Sequence, residues 1–262
     1  MKNKLWQIWQ YLNYLPRCVH LHGIHSPFVF ELHHSLFKEK ADFYAFDEIE
    51  SIRAKLLLTQ TKLTIKDLGA GSSVHNSNER SIQAIAQTSL KPAKTAQLLF
   101  HVVRHFKPLK LVELGTCLGI TSAYLAKANP KGQLTTLEGA SELAKVAKVN
   151  FSKLNIANVT QVQGNFDNTF EGELVKLKEV DFVFFDGNHQ KEPTLRYFEQ
   201  ALRFANENSV FVFDDIYWSK QMTQAWKIIK AHHKVTVTID CFAMGFVFFK
   251  KDQAKEHFTV YH

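Results

Sequence analysis

The sequence has little cysteine, and this shortage excludes a disulfide-stabilised protein. Its 262 residues include only three cysteines, Cys18, Cys117 and Cys241, which lie far apart without a CxxC pair. An odd number of scattered cysteines indicates reduced thiols, as expected in the cytoplasm. The chain also lacks internal repeats and low-complexity tracts. A hydrophobic share of 45% with 22% charged residues excludes global disorder.

Long apolar runs are absent as well. No run reaches the roughly 18 consecutive apolar residues that a membrane-spanning helix needs, so we expect no membrane partner. The first helical stretch, Leu5 to Leu15, is interrupted by Gln7, Gln10 and Asn13. A signal-peptide core would not carry these polar residues, which again favours a cytoplasmic protein.

Acidic residues are fewer than basic ones, and the excess of positive charge needs an explanation. The chain has 32 Lys+Arg against 25 Asp+Glu, a formal net charge of +7. Such a charge permits an anionic partner such as RNA without requiring one. No clustered basic patch of the kind found in RNA-binding modules is visible, so nucleic acid is not a favoured partner.

The order of the predicted elements indicates an α/β fold. From Leu109 onward, short apolar runs alternate with helical patterns, and the chain closes with two strands around a short turn. This alternation predicts a doubly wound, mostly parallel sheet with an antiparallel strand near one edge. Residues 1–108 instead resemble helices and loops. We therefore expect an N-terminal helical segment over residues 1–108 and an α/β core over residues 109–262.

Polar side chains follow each predicted strand of the core. In an open α/β sheet the ligand binds outside the carboxyl ends of the strands, at the switch point of the strand order. The residues at these ends are acidic or carry amides in every case, which favours a polar site. They are Glu113 to Gly119, Glu138, Gly164 to Asp167, Asp186 to His189, and Asp214 with Asp215.

The first glycine turn, Glu113-Leu-Gly115-Thr-Cys-Leu-Gly119, indicates the kind of ligand. It has the form GxxxG rather than the GxGxxG of dinucleotide-binding proteins. The carboxylate of Glu113 would repel phosphate but suits a cation, and Glu138 is placed to accept ribose hydroxyls. A nucleoside with positive charge and no phosphate, such as S-adenosylmethionine, fits both features. The alternative is an ordinary strand–turn–helix with glycines for tight packing.

An ordered set of motifs resembles the class I S-adenosylmethionine-dependent methyltransferases, in the O-methyltransferase-like group that includes catechol O-methyltransferase. The set runs from Val112 to Ser122, then Thr136 to Glu138, Asp181 to His189, and Val212 to Asp215. The resemblance implies a seven-stranded sheet whose last strand is antiparallel. It also implies cofactor contacts from residues around the strand ends: Glu113, Gly115 and Gly119 at the methionine part, Glu138 at the ribose, and Asn165 and Phe166 near the adenine. Thr116, Gly164 and Asp186 are further candidates for cofactor binding.

The resemblance also implies candidates for metal binding and catalysis. Asp186, Asp214 and Asp215 fall on the positions that hold a divalent cation such as Mg²⁺ in metal-dependent relatives, although the family usually has Asn at the last. The sequence Asp-Gly-Asn-His replaces the usual Asp-Ala-Asp-Lys. His189 is the candidate general base, assisted by Asp186, because an imidazole titrates near neutral pH. Alternatively, His189 only orients Asp186.

The expected function is methyl transfer from S-adenosylmethionine to a small-molecule acceptor, at an oxygen nucleophile. One alternative is an RNA or protein methyltransferase, although no Asn-Pro-Pro-Tyr sequence follows the fourth strand. Another is a non-catalytic module that retains the fold. A homodimer is compatible with the sequence.

The methyltransferase hypothesis does not explain two features of the N-terminal segment. Asp67-Leu-Gly-Ala-Gly-Ser72 resembles a second glycine turn, but no strand ending in an acid follows it, so we interpret it as a loop near the site. His20, His22 and His25 do not have the spacing of a metal-binding motif. We expect either a lid that brings His25 or Phe28 to the acceptor or a purely structural segment.

Overall fold

In the computed structural model of the chain, the described residues are 2–19, 23–37, 43–65 and 79–261, with the side chains of residues 2 and 3 left aside. They form ten α-helices: α1 Lys2–Tyr14, α2 Pro27–Phe37, α3 Tyr44–Leu58, α4 Ile82–Ser89, α5 Ala93–Phe106, α6 Ile120–Ala128, α7 Ser141–Lys153, α8 Phe166–Leu177, α9 Lys191–Leu202 and α10 Lys220–Ala231. A short 3₁₀ helix, Leu15–Arg17, follows α1.

The same residues form ten strands: β1 Lys62–Thr64, β2 Glu79–Ser81, β3 Lys110–Leu114, β4 Gln133–Glu138, β5 Val159–Gln163, β6 Val180–Phe185, β7 Ala205–Asp214, β8 Val237–Asp240, β9 Met244–Phe248 and β10 Glu256–Thr259. The chain divides into two compact units. The central unit comprises the described residues of 39–173, and the terminal unit comprises those of 1–38 and 174–262.

The central unit contains three parallel strands, in the order β3, β4, β5. Most of their buried side chains are apolar, α5 and α7 bury one helical face, and α6 is buried all around from Ile120 to Ala126. A buried cluster joins α3, α4, α5 and α6 through residues that include Phe46, Ile49, Ile85, Phe100 and Tyr124. Strands β1 and β2 form a separate antiparallel pair.

The terminal unit contains five strands. Strands β6 and β7 are parallel, β9 is antiparallel to both β7 and β8, and β10 is parallel to β8. Phenylalanines fill its interior; the rings of Phe185 and Phe213, which are register partners, stack with centroids 4.3 Å apart. Because β6 and β7 are parallel neighbours, their carboxyl ends lie at the same edge of the sheet.

The predicted α/β fold with mostly parallel strands and an antiparallel hairpin of β8 and β9 is confirmed. The seven predicted strands correspond to β3–β9, and β10 is an eighth. Three elements were not expected from the sequence: α2, the short strand β2 and the final strand β10. The division at residue 108 stays a prediction. Among the described residues, no helix is both long enough and apolar enough to cross a bilayer. All three cysteines are free thiols.

Candidate functional site

The glycine turn after β3 has the backbone that its glycines allow. Gly115 has φ +105° and Gly119, at the start of α6, has φ +80°, in the left-handed region that favours glycine. The backbone N–H groups of Gly115 and Thr116 donate to the carbonyl of Leu137, at 3.0 and 3.1 Å. The turn is therefore attached to β4 close to Glu138.

The packing of α7 against the start of α6 also requires a glycine at position 119. A Cβ atom at this position would lie 2.8 Å from the Phe151 ring and 3.0 Å from the Cβ of Ala147, both on α7. The alternative interpretation, in which a glycine serves tight packing, therefore holds for Gly119, whatever else this residue contacts.

Glu113 is a fully buried carboxyl group on β3. Its Oε2 accepts hydrogen bonds from the hydroxyls of Ser122 and Thr136, the second at 2.7 Å, and Thr136 in turn contacts the Thr116 hydroxyl at 2.6 Å. Its Oε1 is buried and has no hydrogen-bond partner among the residues that the structure describes. One face of this carboxyl group thus remains available to a donor or a cation.

Burial raises the pKa of Glu113 from its ordinary value of 4.5 to about 7. Loss of solvation disfavours the charged form. The hydrogen bonds from Ser122 and Thr136 and the charge of Lys91 act in the opposite direction, and the charge of Glu138 adds slightly to the rise. The group therefore titrates near neutral pH, and a cation beside it would shift it to the ionised form.

Glu138 is buried at the end of β4 and is held by two backbone donors. The N–H of Cys117 donates to Oε2 at 2.7 Å, and the N–H of Ala140 donates to Oε1 at 2.8 Å. Cys117 has φ +49°, which turns its N–H toward the carboxylate. A carboxylate oxygen can accept more than one hydrogen bond, so an oriented Glu138 can accept hydroxyl donors as well.

The residues after β5 lie next to Glu138 along the sheet. The N–H of Gly164 donates to the Glu138 carbonyl at 2.9 Å, and Gly164 has φ +148°. The Asn165 side chain accepts the N–H of Asp167 at 2.9 Å, and Phe166, half-buried, begins α8. Asn165 therefore shapes the start of the helix, and the expected adenine contacts of these residues stay predictions.

A second cluster lies in the terminal unit, at the carboxyl ends of β6 and β7. Asp186, His189 and Asp214 each offer a ligand atom, and these atoms all lie within 4.8 Å of one another. Nε2 of His189 is 3.8 Å from Oδ1 of Asp186 and 3.9 Å from Oδ2 of Asp215. Two of the three predicted metal ligands, Asp186 and Asp214, are thus brought together with the predicted base.

Asp215 is placed differently from the other two carboxylates. It is the third predicted ligand, but the group of three close ligand atoms contains His189 in its place. Its backbone is left-handed, with φ +52°, and its side chain is more exposed than those of Asp186 and His189. Asp215 therefore approaches the cluster at the imidazole of His189.

Sequence reasoning did not identify the hydroxyls that hold Glu113. Thr136 is the register partner of Glu113 across β3 and β4, and it shares a face of β4 with Glu138 because it precedes it by two residues. Pairing the two strands would have found it. Ser122, one turn into α6, offers no comparable signal, since its contact depends on how the helix packs.

The structure describes only some of the candidate site residues in the N-terminal segment. Residues 67–72, His20 and His22 lie outside the described residues. His25 is exposed, whereas the ring of Phe28 packs edge-on against Phe248 with centroids 5.1 Å apart. A shallow groove of about 370 Å³, lined in part by Tyr44, Glu48 and Lys127, contains none of the predicted site residues.

Comparison with known proteins agrees with the site's sequence pattern. Residues 112–216 match a protein family described as "Methyltransferase domain". A catechol O-methyltransferase of Mycobacterium tuberculosis is 32% identical over 109 residues, which are 41% of this chain and 48% of that enzyme. The chain spans about half the length of the curated relatives that it matches.

Solved methyltransferases share the fold over most of the chain. The Podospora anserina methyltransferase PaMTH1, bound to SAH, has a TM-score of 0.61 at 12% identity and covers 87% of this chain and 97% of its own. The O-methyltransferase TomG from Streptomyces achromogenes, in complex with SAM, has a TM-score of 0.53 at 21% identity. The match covers 62% of this chain and 82% of TomG. These structural similarities show the fold that the ordered motifs predict, and the sequence matches show a similarity to methyltransferases.

Proposed function

We propose that the chain is an S-adenosylmethionine-dependent methyltransferase that methylates an oxygen atom of a small molecule. The observation that carries the proposal is the pair of buried carboxyl groups, Glu113 and Glu138, around the glycine turn. The matched methyltransferase domain includes both residues and supports the same reaction class.

The residues of the central unit fit the proposed cofactor. Glu113 has a buried oxygen without a hydrogen-bond partner among the described residues, and this oxygen suits the positive charge of the cofactor's methionine part. Glu138, oriented by the N–H groups of Cys117 and Ala140, suits the ribose hydroxyls. Gly115 and Thr116 would line the methionine part. Bound S-adenosylmethionine supplies an electrophilic methyl group.

His189 is proposed to accept the proton of the acceptor hydroxyl. Its Nε2 is flanked by the carboxylates of Asp186 and Asp215, which stabilise an imidazolium electrostatically. Asp186 is proposed to orient the ring as well. Methyl transfer from a sulfonium needs mainly alignment of the acceptor, so this proton transfer is the step in which the enzyme's own groups take part.

The cluster of Asp186, Asp214 and His189 also fits a divalent cation, through two carboxylates and one imidazole. Mg²⁺ prefers oxygen ligands, whereas a mixed set of this kind suits Mn²⁺, Fe²⁺ or Zn²⁺. Such a cation would lower the pKa of an acceptor hydroxyl. His189 would then be a ligand rather than the base.

Calorimetric titration of the full chain with S-adenosylmethionine, and with its demethylated product, tests the cofactor assignment. We expect saturable binding, weakened in Glu113→Gln and unchanged in the surface control Glu142→Gln. Absence of binding to folded protein would overturn the proposal. Cofactor binding without turnover on catechols and other hydroxylated acceptors would instead support a non-catalytic module.

The remaining expectations belong to the same proposal. We propose that residues 1–108 contribute to acceptor selection, that residues 109–262 carry the methyltransferase core, and that the protein is cytoplasmic. An RNA methyltransferase is the rival. Filter binding at increasing salt separates the two, because phosphate-driven affinity falls steeply with added salt.

A further inference from the structure

Helix α1 is fixed to the terminal unit by one face only. The indole N–H of Trp6 donates to the Thr223 hydroxyl at 3.4 Å, and the buried Tyr14 donates its hydroxyl to the carbonyl of Val260. The rings of Tyr11 and Tyr14 pack edge-on against Phe242, with centroids 5.0 and 5.3 Å away. The helix is therefore formed and oriented without any further partner.

The opposite face of α1 exposes a continuous row of large apolar side chains. Leu5 is 66% exposed, Ile8 58%, Trp9 55% and Leu12 63%, and Leu15 continues the row beyond the helix. We call these five residues the α1 stripe. Their spacing of three and four residues places them on one side of a helix. A single exposed leucine is ordinary, but a continuous apolar patch marks an interaction surface.

Trp218 is a further exposed aromatic residue of the terminal unit. It is 43% exposed, and its carbonyl accepts a hydrogen bond from the Gln7 side chain at 3.1 Å. Trp218 directly precedes the start of α10, the helix that Trp6 contacts through Thr223. The first turn of α10 therefore lies beside the face of α1 that carries Trp6 and Gln7.

The sequence segments that carry the stripe and α10 contain more basic than acidic residues, with Asp215 and Asp240 flanking the second segment. Residues 1–30 contain no Asp or Glu, but they include Lys2, Lys4 and Arg17. Residues 216–239, which include α10, also lack acidic residues and carry Lys220, Lys227, Lys230 and Lys234. A second copy docking on this face would bring like charges together. An apolar row beside lysines instead complements a surface that offers anionic groups above a hydrocarbon layer.

We propose that the α1 stripe docks the chain on an anionic phospholipid bilayer, with α1 lying in the plane of the interface. A helix with Trp and Leu on one face and basic residues nearby is typical of such interfacial binding. This departs from the expectation of no membrane partner, which rested on the absence of spanning segments. A helix that lies in the interface needs none. The proposal is independent of the methyltransferase assignment.

Flotation of the full chain with vesicles tests the proposal. We expect binding to vesicles of equal parts phosphatidylcholine and phosphatidylglycerol, and much weaker binding to phosphatidylcholine alone. The double variant Ile8→Gln, Leu12→Gln should bind about tenfold more weakly, because two half-exposed apolar side chains no longer enter the interface. The double variant Lys4→Gln, Lys227→Gln should lose about fivefold per lysine that approaches the bilayer surface.

Matched control variants distinguish binding through the α1 stripe from nonspecific adsorption of the protein to vesicles. Val149→Gln with Val175→Gln removes apolar side chains of similar exposure, 51% and 57%, from helices α7 and α8 and should leave binding unchanged. Lys148→Gln with Lys153→Gln is the charge control. Equal binding of the stripe variant and the parent chain would overturn the proposal. So would a concentration-dependent dimer that this variant abolishes, since a second copy would then cover the stripe.

Discussion

The backbone N–H of Cys117 donates to Oε2 of Glu138 at 2.7 Å, so the turn after β3 is closed by the last residue of β4. The second oxygen of the same carboxylate accepts the N–H of Ala140. Glu138 therefore has two tasks, holding the turn in shape and presenting lone pairs to a ligand. A substitution at this position should affect stability and binding together.

Glu138→Gln should lower the free energy of unfolding by about 2 kcal/mol, because an amide replaces one of two charged acceptors of buried N–H groups. It should also weaken S-adenosylmethionine binding. Urea denaturation and calorimetry measure the two effects. Glu142→Gln, which removes only an exposed ion pair with Lys145, should change stability by no more than about 0.5 kcal/mol. Unchanged stability of Glu138→Gln would contradict the proposed closure of the turn.

The raised pKa of Glu113 predicts a pH-dependent stability. The folded-state pKa of about 7 lies above the ordinary value of 4.5, so between these pH values the folded chain keeps a proton that the unfolded chain has released. The contribution of this group to stability therefore decreases as pH rises from 4.5 to 7, by about 3 kcal/mol in total.

Denaturation at several pH values, with Glu113→Gln as reference, isolates that contribution. The stability of the parent chain minus that of the variant should decline from acid to neutral pH and stay level above pH 8. A difference that is constant over the whole range would show that Glu113 titrates in the folded chain as it does when unfolded.

Cofactor binding should release a proton from Glu113 at slightly acid pH, since a cationic ligand favours the ionised carboxylate. The affinity for S-adenosylmethionine should then fall by about tenfold for each pH unit below about 7 in the parent chain. Glu113→Gln should bind more weakly but with little dependence on pH. Calorimetry in two buffers of different ionisation enthalpy detects the released proton directly, and equal heats in both would oppose this role.

Gly119→Ala should destabilise the chain by about 1–3 kcal/mol, through the left-handed backbone and the close approach of α7. Gly172→Ala is the matched control. It lies within α8, where a Cβ atom would meet nothing within 4 Å, and it should stabilise the chain by up to about 1 kcal/mol. Thermal unfolding of both variants gives the comparison, and a stable Gly119→Ala would refute the packing requirement.

His189→Gln should reduce kcat by about 100-fold or more with a reactive acceptor, while the cofactor affinity stays the same, because a general base acts on the acceptor alone. The exposed His233→Gln serves as control. Activity that disappears with a chelator and returns with Mn²⁺ would assign His189 to a metal instead. A kcat that is unaffected by the substitution would remove His189 from the chemistry.

The strand ends of the core were predictable because each combines a buried apolar run with a polar residue at its end. Glu113, Glu138, Asp186 and Asp214 were found in this way, from order and residue type alone. The hydroxyl of Ser122 and the N–H of Cys117 were not, since their contacts arise from helix packing and from a left-handed backbone.

The elements that the sequence did not predict, α2, β2 and β10, were each missed for a different physical reason. Pro27 begins α2, a position that suits proline, but a proline equally disfavours helical backbone at the residue before it, so Ser26-Pro27 is also typical of a loop. Strand β10, Glu256–Thr259, is short and half-polar, and its backbone is satisfied by pairing with β8, a partner that no local pattern reveals. Strand β2 is only three residues long and runs directly into α4, so its sequence cannot be told from the start of that helix.

The contact of Tyr14 with Val260 joins residues that are 246 positions apart in the chain. Protein synthesis proceeds from the first residue to the last, so α1 emerges long before the strand that holds it. Throughout that interval both of its apolar faces are open to solvent, and a helix in this state attracts chaperones or other exposed chains. The corner that contains α1 and β10 is thus completed only after residue 260 has been made. Loss of residue 260 should remove one of the contacts that hold α1 and leave those with Thr223 and Phe242.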